Sequence, residues 1–351
     1  MSGGPQAVTV SLVTYNGLRW LPGCLASLAA QTCADVELLV VDNGSADGTA
    51  AWLAEHLPPD ALATYEPWTD NQGYAAGHNH NLARARGRPV LLLNQDVELD
   101  PGFLAAALAV LDADPTVAAV QGRVRRLGPD GTRLAVLDTT GLVMARDRRV
   151  ISRAQGTIDG PDAPSAVAGP VWGVDGPLPV LRTAALREAR LPRMPGEGTE
   201  VLDEAFFSYK EDVDLAWRLR RLGWRAWYQP AALAWHARGD SGSATGRWQD
   251  IARARRSVPG SVRARPWRNH RLMLLKNEEL RPFLRDLPWI ARHELRSLGY
   301  ALVADRDVLR AVPGLLRAAP VALRKRRILA RRAARLHAQD AWRTSARVPD
   351  Q

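Results

Sequence analysis

Residues 8–17 have the sequence Val-Thr-Val-Ser-Leu-Val-Thr-Tyr-Asn-Gly, and the first seven are mostly β-branched or apolar. Such a run is typical of a buried strand, and the Tyr-Asn-Gly that follows it predicts a turn. Residues 36–41 and 90–93 repeat the pattern, and each run also ends in polar residues. Helical stretches of about ten residues separate these runs, which predicts a parallel sheet with right-handed crossovers. The expected product is a nucleotide-binding α/β fold.

The remaining elements extend this alternation. The sequence predicts a strand over residues 62–66 and helices over 19–31, 47–56, 74–86, 100–114 and 211–222. Gly and Pro are frequent in residues 115–200, which predicts strand pairs and loops. From about 267 to 345 the pattern is helical again, and we expect its four prolines to break it into shorter helices. These prolines are Pro282, Pro288, Pro313 and Pro320.

The net charge of +10 is unevenly distributed along the 351 residues. Residues 247–347 contain 25 Lys or Arg against 8 Asp or Glu, a net charge of +17 that leaves −7 for the rest of the chain. A mildly acidic body joined to a basic segment indicates an anionic partner for the segment, either nucleic acid or an anionic membrane surface. A solvated, Arg-rich helical region without a partner is the third interpretation.

Cysteine content and hydropathy bear on the compartment. The two cysteines, Cys24 and Cys33, are too few for a disulfide framework, which favours a reducing compartment. The first residues lack the pattern of a signal peptide, and no run of 18 apolar residues occurs. We therefore expect a cytoplasmic protein, peripheral to the inner face of the cell membrane if it contacts a membrane.

Polar clusters follow three of the predicted strands. They are Thr14-Tyr15-Asn16, Asp42-Asn43-Gly44-Ser45 and Asn94-Gln95-Asp96. Ligands of open parallel sheets bind at the carboxyl ends of the strands, although one such cluster alone often only forms a turn. Neither G-x-G-x-x-G nor a phosphate-binding G-x-x-x-x-G-K-[ST] loop occurs, which argues against dinucleotide-dependent and P-loop enzymes.

Six segments together resemble the family 2 glycosyltransferases with the GT-A fold, and among them the bacterial rhamnosyltransferase-like enzymes. The segments, in the family's order and spacing, are VTVSLVTYNG (8–17), LLVVDNGSADGT (38–49), NQGYAAGHN (71–79), LLLNQDVEL (91–99), FFSYKEDVDLAWRLRRLGWR (206–225) and WHARGDSGS (235–243). The resemblance implies a catalytic domain over residues 1–245, with a nucleotide-sugar half to about 98 and an acceptor half from 99. A basic helical region, 246–351, would follow it.

The resemblance also implies the residues of a nucleotide-sugar site. Asp42 corresponds to the aspartate that accepts a hydrogen bond from a uracil or thymine ring, whose imide N–H suits a carboxylate. The other residues implied for this site are Thr14, Tyr15, Asn16, Gly44, Ser45, Asn71, Gly73, Gly77, Asn79, Asn94, Gln95 and Asp96. The implied donor is a dTDP- or UDP-sugar, with dTDP-rhamnose favoured.

A divalent metal is implied at Asp96 and His236. Residues 94–96 occupy the position of the family's metal-binding Asp-x-Asp, but Asn94 replaces the first aspartate. Asp96 would hold Mg²⁺ or Mn²⁺ through oxygen, and the imidazole of His236 would supply a further ligand. The ion would neutralise the departing diphosphate.

Glu211 and Asp212 match the family's Glu-Asp pair at a helix start, where Asp212 resembles the catalytic base. This base would deprotonate the attacking hydroxyl in a single displacement that inverts the anomeric carbon. The residues assigned to the acceptor or the diphosphate are Asp175, Gly176, Arg238, Ser241 and Ser243. Pro177 and Pro179 depart from the family's pattern, so acceptor identity is not predicted. A catalytically inactive nucleotide-sugar-binding protein is the alternative.

Residues 321–336 alternate apolar residues with dense arginine, a composition typical of an interfacial helix on an anionic leaflet. We expect this segment to dock the enzyme beside a lipid-linked (polyprenyl diphosphate) or glycan acceptor in cell-envelope synthesis. Regularly spaced surface aromatics and known nucleic-acid motifs are missing from it, so nucleic acid is not expected as a partner. The oligomeric state is not predicted.

Overall fold

The polar clusters of this chain follow the carboxyl ends of strands in one mixed sheet. A computed structural model describes residues 8–32, 35–57, 63–87, 89–237 and 259–345. Its strands are β1 (Val8–Thr14), β2 (Val36–Asp42), β3 (Ala63–Pro67), β4 (Val90–Asn94), β5 (Val97–Leu99), β6 (Val117–Leu127), β7 (Arg133–Thr139), β8 (Leu142–Met144), β9 (Val150–Ser152), β10 (Gly169–Val171), β11 (Val180–Leu181), β12 (Leu191–Pro192), β13 (Thr199–Glu200) and β14 (Arg225–His236).

The helices pack on both sides of this sheet and continue into the C-terminal part of the chain. They are α1 (Leu21–Ala29), α2 (Thr49–His56), α3 (Tyr74–Arg84), α4 (Phe103–Ala113), α5 (Thr183–Ala189), α6 (Glu211–Arg221), α7 (Gly260–Asn277), α8 (Leu280–Val303) and α9 (Val312–Ser345). The predicted α/β fold class with a helical C-terminal region is confirmed. In the part of the chain that is described, no helix is both long enough and apolar enough to cross a bilayer.

The large sheet has the order β10-β14-β6-β11-β4-β1-β2-β3. Strands β4, β1, β2 and β3 are parallel, while the two-residue β11 runs antiparallel to both β4 and β6. The parallel register pairs Thr14 with Asp42 and Val13 with Asn94. This register brings the polar residues that follow β1, β2 and β4 to one edge of the sheet, as predicted.

The second half of the sheet is built from long, irregular strands. β6 and β14 run parallel to each other, with register shifts between Arg225 and Ala226 and between Gln229 and Leu233. β5 pairs antiparallel with the end of β14, and β7 pairs antiparallel with β6. The antiparallel hairpin of β8 and β9 lies outside the large sheet. The strand pairs expected between residues 115 and 200 are therefore present.

Two of the four prolines expected to break the C-terminal helices, Pro288 and Pro320, do not do so. Pro282 and Pro313 lie in the first turns of α8 and α9, where a missing N–H costs no hydrogen bond. Pro288 and Pro320, however, lie inside these helices of 24 and 34 residues. Both prolines are exposed, so water can bond the carbonyl oxygens that lose their partners. The prediction was wrong at these two positions.

The C-terminal helices share a core with the sheet. Leu329 and Ala333 of α9 are buried in the same apolar cluster as Leu186 of α5 and Leu219 of α6. This cluster covers the apolar face that residues 321–336 were expected to present to a membrane. The pattern of that face was recognised correctly, but its expected partner was wrong because the protein itself buries it.

Buried ion pairs join the same helices to the catalytic half of the chain. Lys276 of α7 contacts Asp203 and lies 2.9 Å from the Asp214 carboxylate, while Lys325 of α9 contacts Glu200 and lies 2.8 Å from Asp203. These five side chains are almost fully buried, and removing one partner would leave an uncompensated charge. The helices after residue 259 thus pack against the first part of the chain through buried ion pairs as well as apolar contacts.

Candidate active site

Two cavities meet at the carboxyl edge of the parallel strands. The smaller, about 350 Å³, is lined by the ends of β1 and β4 and by the loop before α3. The larger, about 570 Å³, is lined by β9, by residues 175–177 and by the start of α6. Tyr74, Asn94, Ser208 and Tyr209 line both. A molecule bound in one cavity would therefore contact a molecule bound in the other.

Gln95 ties the turn after β1 to the turn after β4. Its side-chain oxygen accepts hydrogen bonds from the Thr14 hydroxyl at 2.5 Å and from the Tyr15 backbone N–H at 2.8 Å. Thr14, Tyr15, Asn94, Gln95 and Asp96 all line the smaller cavity. The structure thus brings together the predicted residues of these two clusters.

The turn after β2 closes on the turn after β1. Ser45 donates from its hydroxyl to the Asp42 carboxylate at 2.5 Å and accepts the Asn16 backbone N–H at 2.8 Å. Asn16 has a φ of 49°, a left-handed conformation that asparagine adopts more readily than most residues. Asp42 is 1% exposed. Ser45 bonds one oxygen of its carboxylate, and the other oxygen can accept further hydrogen bonds.

Asn43 organises the loop that precedes α3, a role that the sequence did not reveal. Its side-chain oxygen accepts the Gln72 N–H at 2.8 Å, and its amide donates to the Asn71 side chain at 3.1 Å. Gly44, with a φ of 78°, lies under this loop, where a Cβ would be 2.8 Å from the Asp70 carbonyl carbon. Asn71 itself lines the smaller cavity.

Gly73 brings the same loop against the segment before α6. Its φ is 96°, and a Cβ there would lie 2.6 Å from the Phe207 carbonyl oxygen. Phe207 also lines the smaller cavity. A side chain at this position would be strained twice, by the dihedral angle and by the contact.

Gly77 and Asn79, both predicted at the nucleotide-sugar site, make contacts that stabilise the fold. A Cβ on Gly77 would lie 2.8 Å from the Val13 methyl carbons, so this glycine allows α3 to pack closely on β1. The Asn79 side chain is buried and bonds the backbone of Val201 and Leu202 at 2.7–3.0 Å. Neither residue lines the cavities described above, which is also true of Asp42, Ser45 and Gly73.

His236 lies beside Asp96 because of strand pairing. The antiparallel register of β14 and β5 places His236 opposite Val97, the residue after Asp96. The imidazole Nε2 is 3.4 Å from the Asp96 carboxylate, and Nδ1 is 2.8 Å from the carboxylate of Asp138 on β7. Burial lowers the pKa of the His236 imidazole, but Asp96 and Asp138 together outweigh it and raise this pKa to about 10.

The Asp96–His236 pair fits a divalent cation. The two ligand atoms are close enough for one ion, and Asn94 lines the same cavity with a buried Oδ1 that has no hydrogen-bond partner among the described residues. Mg²⁺ commonly takes one or two protein ligands and completes its shell with phosphate oxygens and water. Asp138, buried behind the ring, is the carboxylate that metal-binding histidines usually require at their other nitrogen.

Glu211 and Asp212 begin α6 at the wall of the larger cavity, where Glu211 is buried and Asp212 is half-buried. Burial, with a further contribution from the charge of Asp175, raises the pKa of Asp212 to about 6. Burial and the charge of Asp212 raise the pKa of Glu211 to about 8. Near neutral pH the pair therefore carries about one negative charge between its two carboxyl groups.

Gly176 forms a hydrogen bond to Asp212 and another to Asp175. The Gly176 backbone N–H donates to the Asp212 carboxylate at 3.1 Å and to its neighbour Asp175 at 3.0 Å. Ser152 of β9 donates to the other Asp175 oxygen at 2.5 Å. The structure thus places both predicted residues at the wall of the larger cavity, with Gly176 in contact with the Asp212 carboxylate.

The segment before α6 is held in an unusual conformation. Phe207, Tyr209 and Lys210 have φ values of 64°, 71° and 76°, a region that costs non-glycine residues free energy. Asn269 of α7 is fully buried, and its amide lies 2.9 Å from the carbonyl oxygens of Phe206, Ser208 and Tyr209. This C-terminal helix therefore shapes the wall that both cavities share.

Arg265, also on α7, supplies positive charge to the smaller cavity. It lines that cavity, and its guanidinium carbon lies 4.2 Å from the centre of the Phe207 ring. The predicted Arg238, Ser241 and Ser243 lie outside the described residues. No motif pointed to Arg265 or Asp138, because each reaches the site through long-range packing.

The model of glycosyl transferase family 2 matches residues 9–163. The chain is 30% identical to N-acetylglucosaminyl-diphospho-decaprenol L-rhamnosyltransferase of Mycobacterium tuberculosis (strain ATCC 25618 / H37Rv), over 69% of this chain and 78% of the relative. It is 21% identical to poly-beta-1,6-N-acetyl-D-glucosamine synthase of Staphylococcus aureus (strain COL), over 66% of this chain and 50% of that protein.

Solved structures share the fold. Mannosyltransferase PcManGT from Pyrobaculum calidifontis, in complex with GDP-Man and Mn²⁺, is 20% identical with a TM-score of 0.50 and covers 96% of this chain and 86% of its own. S. aureus TarS 1–349 is 17% identical with a TM-score of 0.51, over 95% of this chain and 92% of its own. These likenesses confirm the GT-A fold. The similarity to the mycobacterial relative, which spans most of both chains, shows in addition that this chain is a glycosyltransferase of family 2.

Proposed function

We propose that this enzyme is an inverting glycosyltransferase that moves a sugar, with rhamnose favoured, from a dTDP- or UDP-sugar to a hydroxyl of a lipid-linked or polysaccharide acceptor. The observation that carries the proposal is the position of Asp212, a half-buried carboxylate that lines the larger cavity, which in turn shares part of its wall with the smaller one. In this assignment the smaller cavity binds the nucleotide-sugar and the larger cavity binds the acceptor.

The donor assignment rests on the carboxyl edge of the sheet. Asp42 would accept the imide N–H of uracil or thymine, and the loop at Asn71 and Gly73 would close over the sugar. Arg265 would contact the diphosphate, because a guanidinium matches phosphate oxygens in charge and geometry. The mycobacterial relative is named as an L-rhamnosyltransferase, which supports rhamnose as the sugar.

Asp212 would act as the base. The acceptor hydroxyl donates its proton to the Asp212 carboxylate as its oxygen forms a bond to the anomeric carbon. The bond between that carbon and the diphosphate oxygen breaks on the opposite side, and the electron pair leaves with the diphosphate. A pKa near 6 suits this role, since the carboxylate is ionised at neutral pH yet more basic than an ordinary aspartate. Gly176 and Asp175 would orient it.

Asp96 and His236 would hold Mg²⁺ or Mn²⁺, and Asp138 would fix the His236 ring. When bound, the ion would offset the negative charge that develops on the departing diphosphate. His236 binds metal only when Nε2 is free of its proton, so metal binding and proton release are coupled at this site.

The acceptor we favour is lipid-linked, in cell-envelope glycan synthesis. The mycobacterial relative is named for a diphospho-decaprenol acceptor, and the larger cavity is open enough for a sugar at the end of a long chain. Such an acceptor would place the enzyme at the inner face of the cytoplasmic membrane as a peripheral protein.

The experiment is a transfer assay with purified enzyme, lipid-linked N-acetylglucosamine and a panel of dTDP-, UDP- and GDP-sugars, with and without Mn²⁺. We expect transfer from dTDP-rhamnose above the other donors, loss of transfer after chelation, and a product of inverted anomeric configuration by NMR. Binding of dTDP or UDP without transfer from any donor would instead favour the inactive binding protein, for which Asn94 is the motivating departure.

A further inference from the structure

An exposed apolar stripe runs along α8, beside the side that packs against the protein. The stripe consists of Leu280, Leu284, Leu287, Ala291, Leu295, Leu298 and Leu302. Exposure ranges from 40% for Leu287 to 71% for Leu295. Positions recur at three or four residues and repeat after eleven, which keeps them on one side of a helix for about 33 Å at 1.5 Å per residue. Asp286, Ile290 and Ala301, by contrast, are buried.

An arginine row follows the stripe. Arg281, Arg285, Arg292 and Arg296 each lie one position after a stripe residue, and all four are exposed. Arg285 also pairs with Asp286 at 2.9 Å. The two acidic residues of α8 are turned toward the protein. Asp286 is 1% exposed and pairs with Arg148 at 2.9 Å, while Glu294 pairs with Arg271 at 2.5 Å. The outer surface of α8 is therefore apolar and cationic.

We propose that α8 docks the enzyme on an anionic lipid bilayer, lying in the plane of the interface with its leucine stripe among the acyl chains and its arginines at the headgroups. A large apolar stripe beside a basic row is the composition of helices that bind in this way. Each arginine held near an anionic surface adds to the attraction. A second copy of this chain is a poorer occupant, because pairing two α8 stripes would bring two arginine rows together.

Docking through α8 would bring the larger cavity, assigned to the acceptor, close to the bilayer. This step of the inference rests on the proposed lipid-linked acceptor. Asp286 pairs with Arg146 at 3.0 Å and with Arg148 at 2.9 Å, both in the turn of the β8–β9 hairpin. The same hairpin reaches the larger cavity through Ile151 and Ser152, and Ile151 is 59% exposed. A bilayer under α8 would thus lie beside the entrance through which a lipid-linked sugar must come.

The test is flotation of the full-length enzyme with phosphatidylcholine vesicles, with and without phosphatidylglycerol. We expect binding that requires phosphatidylglycerol and weakens with salt. The double substitution Leu295→Glu and Leu298→Glu should weaken binding to vesicles at least about tenfold. It removes two leucines that would be buried in the bilayer and adds two negative charges. Arg292→Gln with Arg296→Gln should weaken it about fivefold for each arginine at low salt.

Leu323→Glu is the matched control, since Leu323 is 40% exposed on α9, in the segment first expected to dock. It should bind vesicles as the wild type does. Binding by the Leu295/Leu298 variant at wild-type strength would overturn the proposal, as would a wild-type dimer that this variant dissociates without any change in vesicle binding. Since flotation needs neither donor nor acceptor, a failure here is distinguishable from a failure of the proposed reaction. Circular dichroism confirms that each variant is folded.

Discussion

Replacing Asn269 with alanine should loosen the segment that carries the start of α6. The Asn269 amide lies 2.9 Å from three carbonyl oxygens, and its two N–H groups can bond two of them at a time. Each bond contributes about 1 kcal/mol net, and a buried carbonyl left unpaired costs about 1–3 kcal/mol. We therefore expect the free energy of unfolding to fall by about 3 kcal/mol.

The effect on activity should exceed the effect on stability. The segment holds three non-glycine residues in the left-handed region at a cost of about 1 kcal/mol or more each, so it has reason to relax once released. A shift of about 1 Å at the Asp212 carboxylate can lower the rate about a hundredfold. The assay is kcat for sugar transfer, measured well below the melting temperature, beside denaturant unfolding.

Asn81→Ala is the matched control. Asn81 is 3% exposed and donates to Ser11 and to the Leu39 carbonyl, both at 3.0 Å, under α3 and away from the segment before α6. It should lose comparable stability while keeping kcat within about twofold of wild type. Equal losses of kcat in the two variants, or an unchanged kcat in Asn269→Ala, would refute the role given to Asn269.

Three further predictions concern the charged groups of the site. Transfer by the wild type should decline as pH falls through about 6, because protonation of Asp212 removes the base, and a kcat/KM profile flat from pH 5 to 8 would count against this. Asp138→Asn should lower the affinity for Mn²⁺ about 10- to 100-fold by releasing the His236 ring, as measured by titrating Mn²⁺ in the transfer assay. Arg265→Gln should raise the donor KM about tenfold through lost phosphate contact, whereas Arg317→Gln, an exposed control, should not.

Local patterns in the sequence were sufficient for the parallel half of the sheet and for the residues at its edge. The turns after β1, β2 and β4 carry their own polar residues, so predicting the strands also predicted where Asp42 and Asp96 would lie. Helix spacing likewise predicted that Glu211 and Asp212 lie at the first turn of α6, whereas their role was implied by the family resemblance.

Residues that arrive by long-range packing were not predictable in this way. Asp138 reaches His236 only because β7 pairs with β6, which in turn pairs with β14. The amphipathic pattern of residues 321–336 indicated an apolar face, but a pattern does not reveal what covers that face. In this protein a core that includes α5 and α6 covers Leu329, whereas the stripe of α8 is left exposed.

The assignment of Asp212 is tested most directly by the rate of sugar transfer in the variant Asp212→Asn. The replacement keeps the size of the side chain and removes its basicity, so donor binding measured by calorimetry should be unchanged. We predict that kcat falls by at least about a hundredfold, in the range usual for loss of a general base. Transfer at the wild-type rate, with any donor that the wild type uses, would contradict the account.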